Sequence, residues 1–123
     1  VLSLVLSVPY RIHLIQQGKT WKDAHAYCRA NHIDLATINS SVNMVELQNE
    51  AQKQNFSASA WIGLDTNINS WHWSFRNEML GSFISWSTSQ PDNWSGDERC
   101  VFTKNGEWSD APCDTLLFFV CYD

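Results

Sequence analysis

Trp86-Ser-Thr-Ser-Gln90-Pro91-Asp92-Asn93-Trp94-Ser-Gly-Asp97-Glu98-Arg99-Cys100, continuing as Val-Phe-Thr-Lys-Asn105-Gly106-Glu-Trp108-Ser109-Asp110, concentrates the chemistry of this chain. Oxygen-bearing side chains at Gln90, Asp92, Glu98 and Asp110 are separated by turn formers and flanked by aromatic residues. Calcium takes roughly six to eight oxygens from carboxylates, amides, backbone carbonyls and water. These side chains, with the Asp110 carbonyl as a further donor, suit that preference and leave positions for water or a pair of ligand hydroxyls. The plain alternative is that they are solvated loop residues, the commonest use of such acids. A cis Gln90–Pro91 bond would turn the flanking side chains toward one point. Trp94 stands in a polar loop among Asn93, Ser95 and Gly96, where an exposed ring can stack on the apolar face of a sugar.

With 123 residues, 44% of them hydrophobic, the chain suffices for one core and falls short of two, so one domain is expected. Seven Trp, six Phe and three Tyr either pack a dense core or offer flat faces to a ligand. A formal net charge of -5, with eight Lys and Arg scattered along the chain, argues against a nucleic-acid partner, which needs clustered basic residues. Cys28, Cys100, Cys113 and Cys121 form no Cys-x-x-Cys pair and stand at no zinc spacing from a His. They read instead as disulfides, with the connectivity left open, and so as a protein of an oxidising, extracellular compartment. Asn-x-Ser triplets at Asn39, Asn55 and Asn93 are compatible with that route. The chain has no Gly-x-Ser-x-Gly, His-Glu-x-x-His or phosphate-binding loop, so an enzyme is not expected.

Val1 to Ser7 is apolar and lacks basic residues, which reads as a leader or linker remnant, or else as a first strand; the domain proper is placed at 8–123. The run is too short to cross a bilayer, so the domain is not expected to insert in a membrane. Tyr10 to Ile15 alternates as a strand, with Tyr10, Ile12 and Leu14 on one face. Thr20-Trp-Lys-Asp23 has an N-cap and an acid at N3, which predicts a helix from Trp21 with Trp21, Ala24 and Cys28 on its buried face. His25 and His32 read as surface residues of that helix. A second helix is predicted from Ser41–Asn43 to about Lys53, packed through Met44, Leu47 and Ala51. Trp61 to Leu64 forms a short strand whose glycine admits a close neighbour, and Trp71 to Ser74 alternates, both indoles on one side and His72 on the other. Phe75 to Gly96 has neither period, and a connection of that length is usually a binding loop. Val101 to Trp108 reads as a hairpin about Asn105-Gly106, and Leu116 to Tyr122 as a buried final strand.

Trp61-Ile-Gly-Leu64, Trp71-His-Trp-Ser74, Gln90-Pro91-Asp92, Glu98-Arg-Cys100, Trp108-Ser-Asp110 and Phe119-Val-Cys121, in this order and spacing, resemble the C-type lectin-like domain from about Val8 to Asp123. The resemblance implies an α+β double-loop fold of two helices and two small antiparallel sheets, with disulfides Cys28 to Cys121 and Cys100 to Cys113. It also implies a calcium site on Gln90, Asp92, Glu98, Ser109 and Asp110, with Trp94 completing a sugar site on the same residues. Gln-Pro-Asp is the family variant associated with galactose and N-acetylgalactosamine, where Glu-Pro-Asn goes with mannose. Three departures stand out. Ser109 replaces an amide that ligates calcium, the glycine-rich insertion behind Trp94 is missing, and Arg99 occupies a position usually acidic at a second calcium site. The expectation is calcium-dependent recognition of galactose-type glycans on glycoproteins or cell surfaces by a secreted protein or ectodomain, with any oligomer built by other parts. A calcium-independent protein-binding module on the same fold is the alternative that Ser109 favours.

Overall fold

Strand β1 (Ile12–Lys19) and the final strand β7 (Leu117–Tyr122) lie side by side and antiparallel, with Ile12 opposite Tyr122 and Leu14 opposite Val120. The computed structural model describes residues 11–66, 71–82, 84–86 and 98–122, with the side chains of 98 and 99 left aside. Between the two strands run helix α1 (Trp21–Asn31), strand β2 (Asp34–Leu35), helix α2 (Ser41–Lys53), and strands β3 (Ala60–Thr66) and β4 (Trp71–Trp73). A 3-10 turn at Phe75–Asn77 and the strands β5 (Glu98–Lys104) and β6 (Glu107–Pro112) complete the set. The sheet order is β1-β7-β3-β5-β6, with β2 added to β7 and β4 to β3. A short parallel register, Ala60 with Phe118 and Trp61 with Phe119, joins what would otherwise be separate antiparallel groups into one mixed sheet.

Both helices start where their caps dictate. Thr20 Oγ1 accepts the Asp23 N–H at 3.1 Å, and Ser40 Oγ accepts the Asn43 N–H at 3.2 Å, each satisfying one donor that the first turn leaves free. Helix α1 buries Trp21, Ala24 and Cys28, and the Cys28–Cys121 disulfide ties it to β7. Cys100–Cys113 closes the shorter loop, 13 residues against 93. On the loop-entropy account these links contribute about 3 and 4.7 kcal/mol.

Strand β3 is covered on both faces, which is why it reads as a continuous apolar run. Ala60, Ile62 and Leu64 pack toward Met44 and Leu47 of α2, while Trp61 packs with Trp21, Cys28 and Phe119 on the α1 side. Gly63 is required between them, because a Cβ there would stand 3.0 Å from both the Leu35 carbonyl oxygen and Ser74 Oγ. Strand β1 continues past Ile15 to Lys19 through an irregularity, since its Gln16-Gln17 stretch is exposed and needs no apolar alternation.

A polar cluster sits inside this frame without a signature in the sequence. Asp34 is fully buried; Ser74 Oγ donates to its Oδ1 at 2.6 Å and the Leu35 N–H to the same atom at 2.7 Å. His25 Nε2 lies 3.2 Å from Oδ1, and Arg29 Nη1 donates to Oδ2 at 3.2 Å. His25, stacked on Trp21 at 5.1 Å, is thus half-buried beside the Asp34 carboxylate and not a plain surface residue. The Arg29 side chain is 59% exposed, so water screens its share. Burial alone raises the Asp34 pKa, but the His25 and Ser74 contacts, the His25 charge and the Leu35 N–H together hold the carboxyl below its ordinary value of 3.8.

Ionised Asp34 therefore contributes stability that is present above its ordinary pKa and lost as pH falls through its lower folded value. Asp34→Asn should lower stability at neutral pH by about 1–3 kcal/mol, the cost of weakened buried hydrogen bonds. It should also flatten the acid limb of the stability curve, which urea melts across pH would read.

Candidate functional site

The β5–β6 hairpin turns on Asn105 and Gly106, whose φ values of 54° and 83° are the paired positive angles that an Asn-Gly hairpin turn supplies. Across it Val101 faces Asp110, Phe102 faces Ser109 and Thr103 faces Trp108. Neighbours along a strand point to opposite faces. Trp108, fully buried, and Asp110, 3% exposed, accordingly share the inner face of β6. Ser109 is half-buried and lines a shallow groove of about 360 Å³ with Ser59, Phe102, Lys104 and Glu107.

Residues 84–86 are docked against this hairpin. The Trp108 N–H donates to the Ser85 carbonyl at 2.7 Å, and Ser85 Oγ donates to the Gly106 carbonyl at 2.6 Å. Trp86 bridges Trp108 in parallel, its ring 5.4 Å from Trp108 and 5.2 Å from Trp71. Trp73 meets Trp108 edge-on at 5.7 Å from the other side. The four indoles form a continuous stack of contacts. At its far end the same connection returns to the sheet at Glu98, which opens β5 opposite Pro112. Trp86 and Glu98 therefore both pair with β6, opposite Trp108 and Pro112, at points that bracket Asp110.

Gln90, Asp92 and Trp94, and with them the Gln90–Pro91 bond and Asn93, lie outside the described residues. Of the six residues expected at the site, the structure places Glu98, Ser109 and Asp110 on the paired strands β5 and β6, with Glu98 opposite Pro112, and it turns Ser109 and Asp110 toward different faces. Ser109 and Asp110, the two of these whose side chains are described, carry oxygen donors, the kind a hard cation takes. Among the described residues no group of three or more His, Cys, Asp or Glu assembles a metal site, so a cation beside Asp110 would need donors from 87–98. Ser85 and Trp71 carry no site signal in the sequence; their part depends on which strands pair. On β3, the Asp65 carboxyl is pushed up by burial against the opposing charges of His72, 3.9 Å away, and His25.

A family model described as the Lectin C-type domain matches residues 17–123. The chain belongs to the C-type lectin domain family. It is 34% identical over 112 residues to rat C-type lectin domain family 10 member A, covering 86% of this chain and 35% of that one. It is 31% identical to a C-type lectin galactose-binding isoform of Pseudechis australis, over 84% of this chain and 70% of the relative. The carbohydrate-recognition domain of the mouse scavenger receptor C-type lectin superposes with a TM-score of 0.81 at 25% identity, over 94% of this chain and 89% of that one. This chain spans about a third of the rat relative's length. Domains of this family are generally non-enzymatic carbohydrate-binding modules, extracellular or in receptor ectodomains. No described helix is long and apolar enough to cross a membrane.

Trp86→Ala should remove two ring contacts, worth about 1–3 kcal/mol together, and with them the docking of the 84–86 stem on β6. Thermal unfolding should show the lower stability and exchange of the Trp108 amide should accelerate, while Trp86→Phe should retain most of both.

Proposed function

We propose that this domain is a calcium-dependent lectin for terminal galactose or N-acetylgalactosamine. The observation that supports the reading is that Trp86 and Glu98, which flank the stretch carrying Gln90, Asp92 and Trp94 in the sequence, both pair with β6 on either side of the buried Asp110. Asp92, Glu98 and Asp110 would hold calcium with Gln90 adding an amide oxygen, and calcium when bound would offer its remaining positions to a sugar hydroxyl pair. Ser109, on the outer face of β6 with a short hydroxyl, would act through water. Trp94 would cover the apolar face of the sugar. The Gln-Pro-Asp order and the galactose-binding name of the Pseudechis relative support the galactose class. Secretion or display in an ectodomain follows from two disulfides and the family. No residue pair in this reading performs covalent chemistry, so the domain binds its glycan without turning it over.

A second reading, calcium-independent protein recognition, draws on the outward placement of Ser109. Titration calorimetry separates the two. Galactose binding should appear with calcium, vanish in EDTA and exceed mannose binding; binding retained in EDTA, or a mannose preference, would sink the lectin proposal. Asp110→Asn should abolish the calcium response, whereas Ser109→Ala should cost under about 1 kcal/mol, as for one water-mediated contact. Under the second reading, an Asp92→Ala, Glu98→Ala double variant would keep its partner.

A further inference from the structure

The Asn55-Phe56-Ser57 triplet follows helix α2 on a turn closed by backbone hydrogen bonds to the helix end. The Asn55 N–H donates to the Gln52 carbonyl at 3.1 Å and the Phe56 N–H to the Ala51 carbonyl at 2.8 Å, so the helix ends with Asn55 at a φ of 51°. Asn tolerates that left-handed conformation better than most side chains do. Phe56 turns inward, half-buried against the core, with its ring 5.7 Å from Phe118. Asn55 and Ser57, on either side of it, are exposed. A triplet anchored by its middle residue thus presents both the acceptor amide and the required hydroxyl to solvent.

The same turn forms one wall of a cavity of about 430 Å³ that the lectin reading does not use. Apolar Leu14, Phe56 and Val120 line it together with the amides of Gln48, Gln52 and Asn105, and Ser57 of the triplet lines it as well. Its size lies within the ~300–1,000 Å³ range of small-ligand sites. An apolar wall edged with amides suits an N-acetylhexosamine, whose acetamido group hydrogen-bonds with amides and whose ring carries an apolar face.

We propose that Asn55 carries an N-linked glycan and that its proximal N-acetylglucosamine covers the mouth of this cavity. The transfer draws on a lipid diphosphate-linked oligosaccharide of the secretory lumen. The Asn55 amide nitrogen forms a bond to the anomeric carbon, the bond from that carbon to the diphosphate oxygen breaks, the lipid diphosphate leaves, and the amide loses one proton. The inference rests on the extracellular route implied by the disulfides and is independent of which ligand the Trp86–Asp110 region binds.

The test is peptide-level mass spectrometry of the full chain secreted from a glycosylating host, followed by hydrogen exchange. Glycan mass should be found on the Asn55 peptide and be lost in Asn55→Gln and in Ser57→Ala; an Asn55 peptide without modification would overturn the proposal. Trimming the glycan to one proximal sugar should leave exchange slow over residues 48–57 and 103–106. Removing it completely with an amidase should lose that protection, and Asn55→Gln should match the fully stripped protein. Equal exchange in the trimmed and stripped forms would overturn the covering of the cavity.

Discussion

The fully buried Trp108 indole is the constraint on which the half of this domain built from β4, β5 and β6 depends. Its ring meets both Trp73 and Trp86 edge-on, and its backbone N–H is donated to the Ser85 carbonyl. One residue thereby holds β4, β6 and the stem of the long connection in a single packed unit. Aromatic edge-to-face pairs contribute about 0.5–1.5 kcal/mol each beyond burial, so this cluster is stiff as well as apolar. The residue two positions on, Asp110, is buried on the same face of β6.

The other half of the fold is secured differently. Helix α1 is bonded covalently to β7, its Trp21 Nε1 donates to the Ile62 carbonyl at 2.9 Å, and Trp61 Nε1 on β3 donates to the Lys19 carbonyl at 3.0 Å. The Asp34 cluster then links α1, β2 and Ser74, the residue that follows β4 and whose N–H is donated to the Gly63 carbonyl. A buried carboxylate is costly unless well bonded. Here its partners lie on α1, on its own strand β2 and just past β4, so it sets their relative positions. Gly63 makes the arrangement feasible by leaving room for Ser74 Oγ.

Much of this was legible in the sequence because it is local. The caps Thr20 and Ser40 place the helix starts, the Trp21, Ala24, Cys28 spacing shows the buried face, and Asn105-Gly106 marks the hairpin. Each depends on residues within a few positions of one another. His25 was misread as a surface residue because its partner, Asp34, bears no recognisable spacing to it; contact arises when α1 packs over β2. Strand β2 itself is too short to show an alternation. The extension of β1 to Lys19 was hidden for a related reason: an exposed edge strand has no apolar period to reveal it.

What the sequence by itself determined is the family, the helices and the hairpin, since residue type and short-range spacing encode these directly. The tertiary structure alone decided that Trp86 and Glu98 both attach to β6, that Asp110 is buried on the Trp108 face while Ser109 looks outward, and that β3 joins the sheet through a parallel pairing with β7. Those facts depend on strand register and on which side chains compete for the same interior volume. Contacts between residues far apart in the chain settle both.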